Sequence, residues 1–148
     1  MAMPAPVTLL VHGGAGTLTR ANLSPAQELE YRDALGQALR AGQSLLLQGG
    51  SAVDAVVAAV SVLEDCPLFN AGKGSVFTHE GRNEMDAAVM DGATGQAGAV
   101  AGVVSVRNPV LAAQAVMQSS GHVLLIGQGA EAFAQSQGLA MEGPEYFH

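Results

Sequence analysis

The stretch Ala55–Leu63 is apolar on nearly every side, interrupted only by Ser61. No other feature limits the possible folds of this chain so strongly. A helix lying on a protein surface carries one apolar stripe, whereas a helix apolar all round must be covered on opposite sides. Ser51-Ala52-Val53-Asp54 opens this helix, with Asp54 near the positive end of its dipole, and Pro67 closes it. The expected architecture is therefore layered, with more layers than 148 residues supply.

The other elements follow from local signals. Ser24-Pro25-Ala26-Gln27 is a strong helix start, with Ser24 at the N-cap, Pro25 at the first helical position and Gln27 placed to close a capping box. Leu29, Leu35, Leu39, Leu45 and Leu46 mark the apolar stripe of that helix, and Gly49-Gly50 ends it. Val7–Val11, Glu84–Asp91, Gly98–Val106 and His122–Ile126 are expected strands. Gly92-Ala93-Thr94-Gly95 supplies the turn of an antiparallel hairpin. Asn108-Pro109 is expected to cap a helix over Val110–Met117, and Gln128–Gln137 a further short one. This inventory is mixed rather than strictly alternating and favours an antiparallel-rich α/β unit spanning residues 1–148. Residues 138–148 show no pattern and are expected to begin a flexible linker.

Composition removes several function classes. A net charge of −7 opposes binding to nucleic acid or to an anionic membrane. The single cysteine, Cys66, excludes an intrachain disulfide or a cysteine-built zinc site. Met1–Pro6 lacks the basic start of a secretory signal, and no run approaches a membrane span, so a cytoplasmic location is expected.

Taken singly, the motifs are ambiguous. His12-Gly13-Gly14-Ala15-Gly16 after a strand resembles an esterase oxyanion loop, but the accompanying Gly-x-Ser-x-Gly nucleophile elbow is absent. Gly72-Lys73 lacks the surrounding residues of a phosphate loop. Glu64, Asp65, Asp86 and Asp91 form no ligand pattern. Asp91 before Gly92 fits a turn, and Asp86 stands oddly inside a strand of small residues. The histidines are scattered; His12 at a strand end fits a bond to backbone, and Cys66 fits a small buried residue.

Together and in order, these segments resemble the isoaspartyl peptidase/asparaginase family, also called plant-type asparaginases. The resemblance runs from about Thr8 to Phe133. It is carried by Leu9–Gly16, Gly50–Val56, the long loop Cys66–Thr78, the hairpin Glu84–Gly92 with Gly98–Val103, and Arg107-Asn108-Pro109-Val110.

The family's fold is a four-layer αββα sandwich of the N-terminal-nucleophile hydrolase type, of which this chain would be the N-terminal (α) half. The resemblance implies a precursor that cuts itself in front of a threonine, which then heads the β subunit and serves as nucleophile. No threonine of this chain fits that cut, since Thr78 and Thr94 do not follow a glycine and a cut at Gly16-Thr17 would remove the first strand. No catalytic residue is therefore expected in this chain, and the nucleophile is expected on the β subunit. Implied substrates are L-asparagine and β-aspartyl dipeptides, and the implied assembly is (αβ)₂. Asn70 would orient the nucleophile, with Gly13 and Gly14 packing behind it. Backbone carbonyls of Leu63, Glu64, Cys66, Phe69, Ala71 and Lys73 would hold a structural sodium ion, and no organic cofactor is implied. Two alternatives remain open: a glycosylasparaginase-like amidohydrolase and a non-catalytic scaffold relative.

Overall fold

A computed structural model describes residues 7–14 and 22–147. Ala15 and Gly16 of the glycine motif, and the Gly16-Thr17 pair, lie outside the described residues. The first helix, α1, spans Pro25–Leu47 and begins as expected. The Ser24 hydroxyl accepts the Gln27 N–H, and the Gln27 side chain accepts the Ser24 N–H in return. The residues it buries differ from the expected leucine stripe. Ala34, Ala38 and Gly42 are buried, whereas Leu29 is 59% exposed. The cause is close helix packing. A Cβ at Gly42 would come within 2.6 Å of the Ala55 carbonyl oxygen, so small residues four apart let the two helices approach while the leucines flank the seam.

The neighbour across that seam is α2 (Ala52–Glu64), the helix apolar on all sides. Its Ala59 and Leu63 pack with Ala34 and Ala38 of α1. On another side, Val53 and Val57 join Val89, Val110 and Ala113, which belong to a strand and a helix further along the chain. The expected two-sided burial is present.

A mixed sheet follows, built from β1 (Met85–Met90), β2 (Ala97–Val103) and β3 (Leu124–Ile126) in that order. β1 and β2 are antiparallel, as the turn residues imply, and β3 runs parallel to β2. The turn is locked by Asp91, whose carboxylate accepts the Ala93 N–H and the Thr94 hydroxyl. Helix α3 (Pro109–Ser119) covers one face of the sheet, and α4 (Gly127–Ser136) packs beside β2 and β3. At Gly98 the covering is tight, because a Cβ there would overlap the Ala113 carbonyl and the Met117 N–H.

The opposite face is uncovered among the described residues. Cross-strand partners share a face, and the register pairs Ala88 with Ala99, Met90 with Ala97, Ala99 with Leu124 and Ala101 with Ile126. Met90, Leu124 and Ile126 are all more than half exposed. This face is therefore apolar, small in the middle and open.

Three segments depart from the sequence expectation. Val7–Val11 carries no regular structure and pairs with no strand among the described residues. Its Val11 packs instead against the α1–α2 cluster, because a strand needs a ladder and no described neighbour offers one. Asn108 stands at the start of α3 without capping it; its amide is drawn to Asp65 Oδ1 at 3.3 Å and to the Ser61 carbonyl at 3.5 Å. Finally, residues 138–148 are expected to open a flexible linker, yet 139–147 lie along the rest of the molecule. The Arg107 N–H donates to the Ala140 carbonyl and the Glu142 N–H to that of Ser105, while Phe147 is fully buried.

Candidate functional site

The segment between α2 and β1 carries most of the residues singled out by the sequence. After Glu64 the chain turns through Cys66–Ser75, with a single 3₁₀ turn at Gly72–Gly74. Two glycines make this turn possible. Gly72 has φ +50°, and a Cβ there would overlap the Glu64 carbonyl oxygen; one on Gly74 would overlap those of Phe69 and Pro67. The loop thus doubles back on its own carbonyls, an approach that only glycine permits.

Three of those carbonyls each accept one short-range N–H: Cys66 from Phe69, Phe69 from Ala71, and Ala71 from Gly74. A carbonyl oxygen has two lone pairs, so each keeps one for a further partner. Among the described residues no group of three or more His, Cys, Asp or Glu side chains could hold a metal ion.

Phe69 joins this loop to the glycine turn. Its ring is buried, stacks edge-on against Tyr31 at 5.7 Å, and would meet a Cβ on Gly13 at 2.8 Å. Gly13 therefore lies against the residue next to Asn70, and Gly14 follows at φ +106°. His12 bonds backbone, as expected for a lone histidine here: its Nδ1 accepts the Gly14 N–H at 3.2 Å. Asn70 is exposed, and its Oδ1 accepts the Val76 N–H at 3.0 Å, bracing the exit of the loop. An amide so held still has its N–H donors to present. Asn70 lines a cavity of about 260 Å³ together with Glu64, Ser75 and Asp86.

Asp86 has a structural account. β1 and β2 slip register between Met85 and Ala87, and the Asp86 carboxylate accepts the Gly102 N–H at 2.8 Å across that bulge. Gly102 has φ +62°, so the bulge uses the backbone freedom of glycine.

Two features had no local signal in the sequence. The first is the Glu64 side chain, which is only 3% exposed and accepts the Val110 N–H at 2.9 Å at the start of α3. Burial pushes its carboxyl up to about 7, against the opposing pull of that hydrogen bond. The second is a knot around Asp65. Its Oδ1 accepts from Arg107 Nε at 3.1 Å and from the Tyr146 hydroxyl at 3.0 Å, and the Tyr146 ring lies 5.2 Å from the Arg107 guanidinium and 5.3 Å from the Lys73 ammonium. Burial and the bond to Asp65 raise the Tyr146 hydroxyl above its ordinary value. A charged or polar residue from the loop, the end of α2, the start of α3 and the C-terminal tail meets in this knot. Each partner is distant in sequence, so no spacing rule exposes it.

No described helix is long and apolar enough to cross a membrane. Residues 5–148 match the family described as asparaginase. Over 139 residues the chain is 55% identical to an isoaspartyl peptidase of Salmonella typhimurium, covering 94% of this chain and 44% of that protein. It is 50% identical over 139 residues to a putative isoaspartyl peptidase/L-asparaginase of Dictyostelium discoideum, covering 94% and 40%. Over 140 residues it is 50% identical to a plant-type L-asparaginase of Pyrococcus furiosus, covering 95% and 43%. The chain thus spans less than half the length of these curated relatives.

Proposed function

The chain belongs to the asparaginase family, and from that premise we propose that it is the N-terminal portion of a self-cleaving amidohydrolase acting on L-asparagine and β-aspartyl dipeptides. The observation that carries this reading is the packing of Phe69 on Gly13, which sets the glycine turn beside Asn70. The nucleophile would be the hydroxyl of a threonine exposed by self-cleavage, on the portion that follows this one. Its own α-amino group would take the proton. Attack on the side-chain amide carbonyl expels ammonia from asparagine, or an amino acid from a β-aspartyl dipeptide. Water then opens the acyl-enzyme and releases aspartate.

In this scheme Asn70 orients the threonine. Its Oδ1 is held by Val76, so its amide N–H groups point from a fixed base. Gly13 and Gly14 support the same place from behind, where a side chain on Gly13 would strike Phe69. The uncovered, alanine-rich face of the sheet supports the four-layer αββα reading, in which a second sheet from the following portion covers it and further helices close the outer side. An (αβ)₂ assembly is proposed on the family resemblance alone.

A sodium ion would be held by the carbonyls of Leu63, Glu64, Cys66, Phe69, Ala71 and Lys73. The donor set fits: the oxygens are neutral and hard, in a loop that Gly72 and Gly74 fold onto its own carbonyls. Such an ion would stiffen the loop around Asn70. The free thiol of Cys66 is compatible with the reducing cytoplasm proposed for the protein.

Intact-mass analysis of the full gene product tests the reading, paired with ammonia-release and dipeptide-cleavage assays. A second chain headed by threonine, with both activities, is expected. An uncleaved chain that hydrolyses neither substrate would overturn it.

A further inference from the structure

We propose that Glu64 is a positioning residue of the amide-hydrolysis site, tying the start of α3 to the loop that carries Asn70. In the same proposal, its second carboxylate oxygen is offered to a hydrogen-bond donor from the portion beyond His148. The inference rests on the functional reading above and assigns a side chain which that reading uses only for its backbone carbonyl.

Three observations converge on this residue. First, Glu64 ends α2 and is 3% exposed, yet glutamate is among the residues least often buried without a partner. Its Oε1 accepts the Val110 N–H, one of the first N–H groups of α3, which have no partner inside their own helix. Asn108, at the N-cap position, makes no capping bond, so a carboxylate from another helix does the capping. Second, Gly72 sits against the Glu64 carbonyl and Cβ, so the loop wraps the same residue that holds α3. Third, Oε2 is buried and accepts no hydrogen bond of good geometry among the described residues; the nearby Asn108 amide pulls the Glu64 carboxyl down but spends its N–H groups on the Ser61 carbonyl and Asp65 Oδ1. A buried, unmatched carboxylate oxygen is costly, and native structures reserve such oxygens for a donor. Glu64 lines the cavity shared with Asn70 and Ser75, where the portion carrying the nucleophile would arrive.

A carboxylate with one oxygen on α3 and the other on the incoming portion would fix both relative to Asn70. Small displacements of a positioned group cost much in rate, on the order of a hundredfold for about 1 Å. In this role the side chain acts through the loop that carries Asn70 rather than on the substrate, so its loss is expected in kcat rather than KM.

The test uses the full-length protein with Glu64→Gln and Glu64→Ala, both of which leave the backbone carbonyl in place. Self-cleavage rate, kcat and KM on L-asparagine, thermal midpoint, and hydrogen exchange over residues 66–76 are measured. Glu64→Gln keeps an oxygen for Val110 but sets an N–H₂ against the expected donor. The expected result is a thermal midpoint close to wild type, with kcat and self-cleavage reduced at least about tenfold, KM changed less than about threefold, and faster exchange over 66–76 but not in α1. Glu64→Ala is expected to lose more, in the same direction. Wild-type kcat and self-cleavage in Glu64→Gln would overturn the role of Oε2, and with it the proposal. So would losses that track the fall in thermal midpoint across both variants. A wild-type protein that neither cleaves itself nor releases ammonia sinks the functional reading itself, an outcome separate from either variant result.

Discussion

Gly72 and Gly74 are the positions where a single methyl group would do most harm. Each would drive a Cβ into a backbone carbonyl, and Gly72 adds a positive φ. A backbone clash relieves itself only by moving the loop, so either alanine substitution should cost about 2–4 kcal/mol. Denaturant melts of full-length Gly74→Ala and Gly72→Ala measure this, and self-cleavage should fall with them because Asn70 rides on the same loop. A loss below about 0.5 kcal/mol, the range of ordinary surface changes, would mean that the turn is slack. Asp91 gives a prediction of a different kind. The Ala93 N–H, and then the Thr94 hydroxyl, hold its carboxyl below the ordinary value of 3.8. A depressed carboxyl stabilises the folded turn fully above 3.8, and the contribution is lost as pH falls through the lower folded value. An acid titration followed by NMR at the Ala93 amide should therefore show its midpoint below 3.8, and Asp91→Asn should abolish the step. A midpoint at or above 3.8 would contradict the bonding described.

At the scale of elements, what could be read beforehand divides by distance along the chain. The start of α1, the two-sided burial of α2 and the β1–β2 turn were legible because each is written in a few adjacent residues: Ser24 with Gln27, the run Ala55–Leu63, and Asp91 with Gly92. The glycine turn and the Asn70 loop were legible only as a set of motifs in family order. What stayed hidden is tertiary. Glu64 meets Val110, and Asp65 meets both Arg107 and Tyr146, across long stretches of chain that impose no spacing. Residues 139–147 lack any period because their regular structure is limited to a bridge at Met141 and a single 3₁₀ turn at Pro144–Tyr146. Their order comes from Phe147, buried among Met85, Val100 and Val103, and from the Asn83 amide reaching the Phe147 carbonyl. The tail should behave as a strap on the loop. Phe147→Ala is expected to cost about 3–5 kcal/mol, whereas Tyr146→Phe removes one hydroxyl bond to Asp65 and should cost about 1 kcal/mol. Urea unfolding of the full-length variants measures both, and equal small effects would show that the tail carries no load.

At the scale of the whole molecule, the sheet face formed by Ala88, Ala97, Ala99 and Ala101, with Met90, Leu124 and Ile126 around them, decides whether this chain stands alone. Its partner face is filled by α3, whereas among the described residues nothing covers this one. Alanine in the middle allows a second sheet to approach closely, and the larger side chains would interdigitate with it. An open apolar face of this kind promotes association in water, so residues 1–148 expressed alone should aggregate or bind a hydrophobic dye. A soluble monomer melting cooperatively would count against the half-sandwich. Ala99→Asp separates this account from general stickiness, because its effect should depend on context. In the isolated chain the new carboxylate meets water, costs about 1 kcal/mol or less through strand preference, and should reduce aggregation. In the complete protein the same carboxylate would be trapped between two sheets without a partner, at several kcal/mol, and should block folding and self-cleavage. Opposite responses in the two settings are the signature of a face made to be covered. The same response in both, measured by light scattering on the short chain and by self-cleavage on the long one, would mean that nothing packs there.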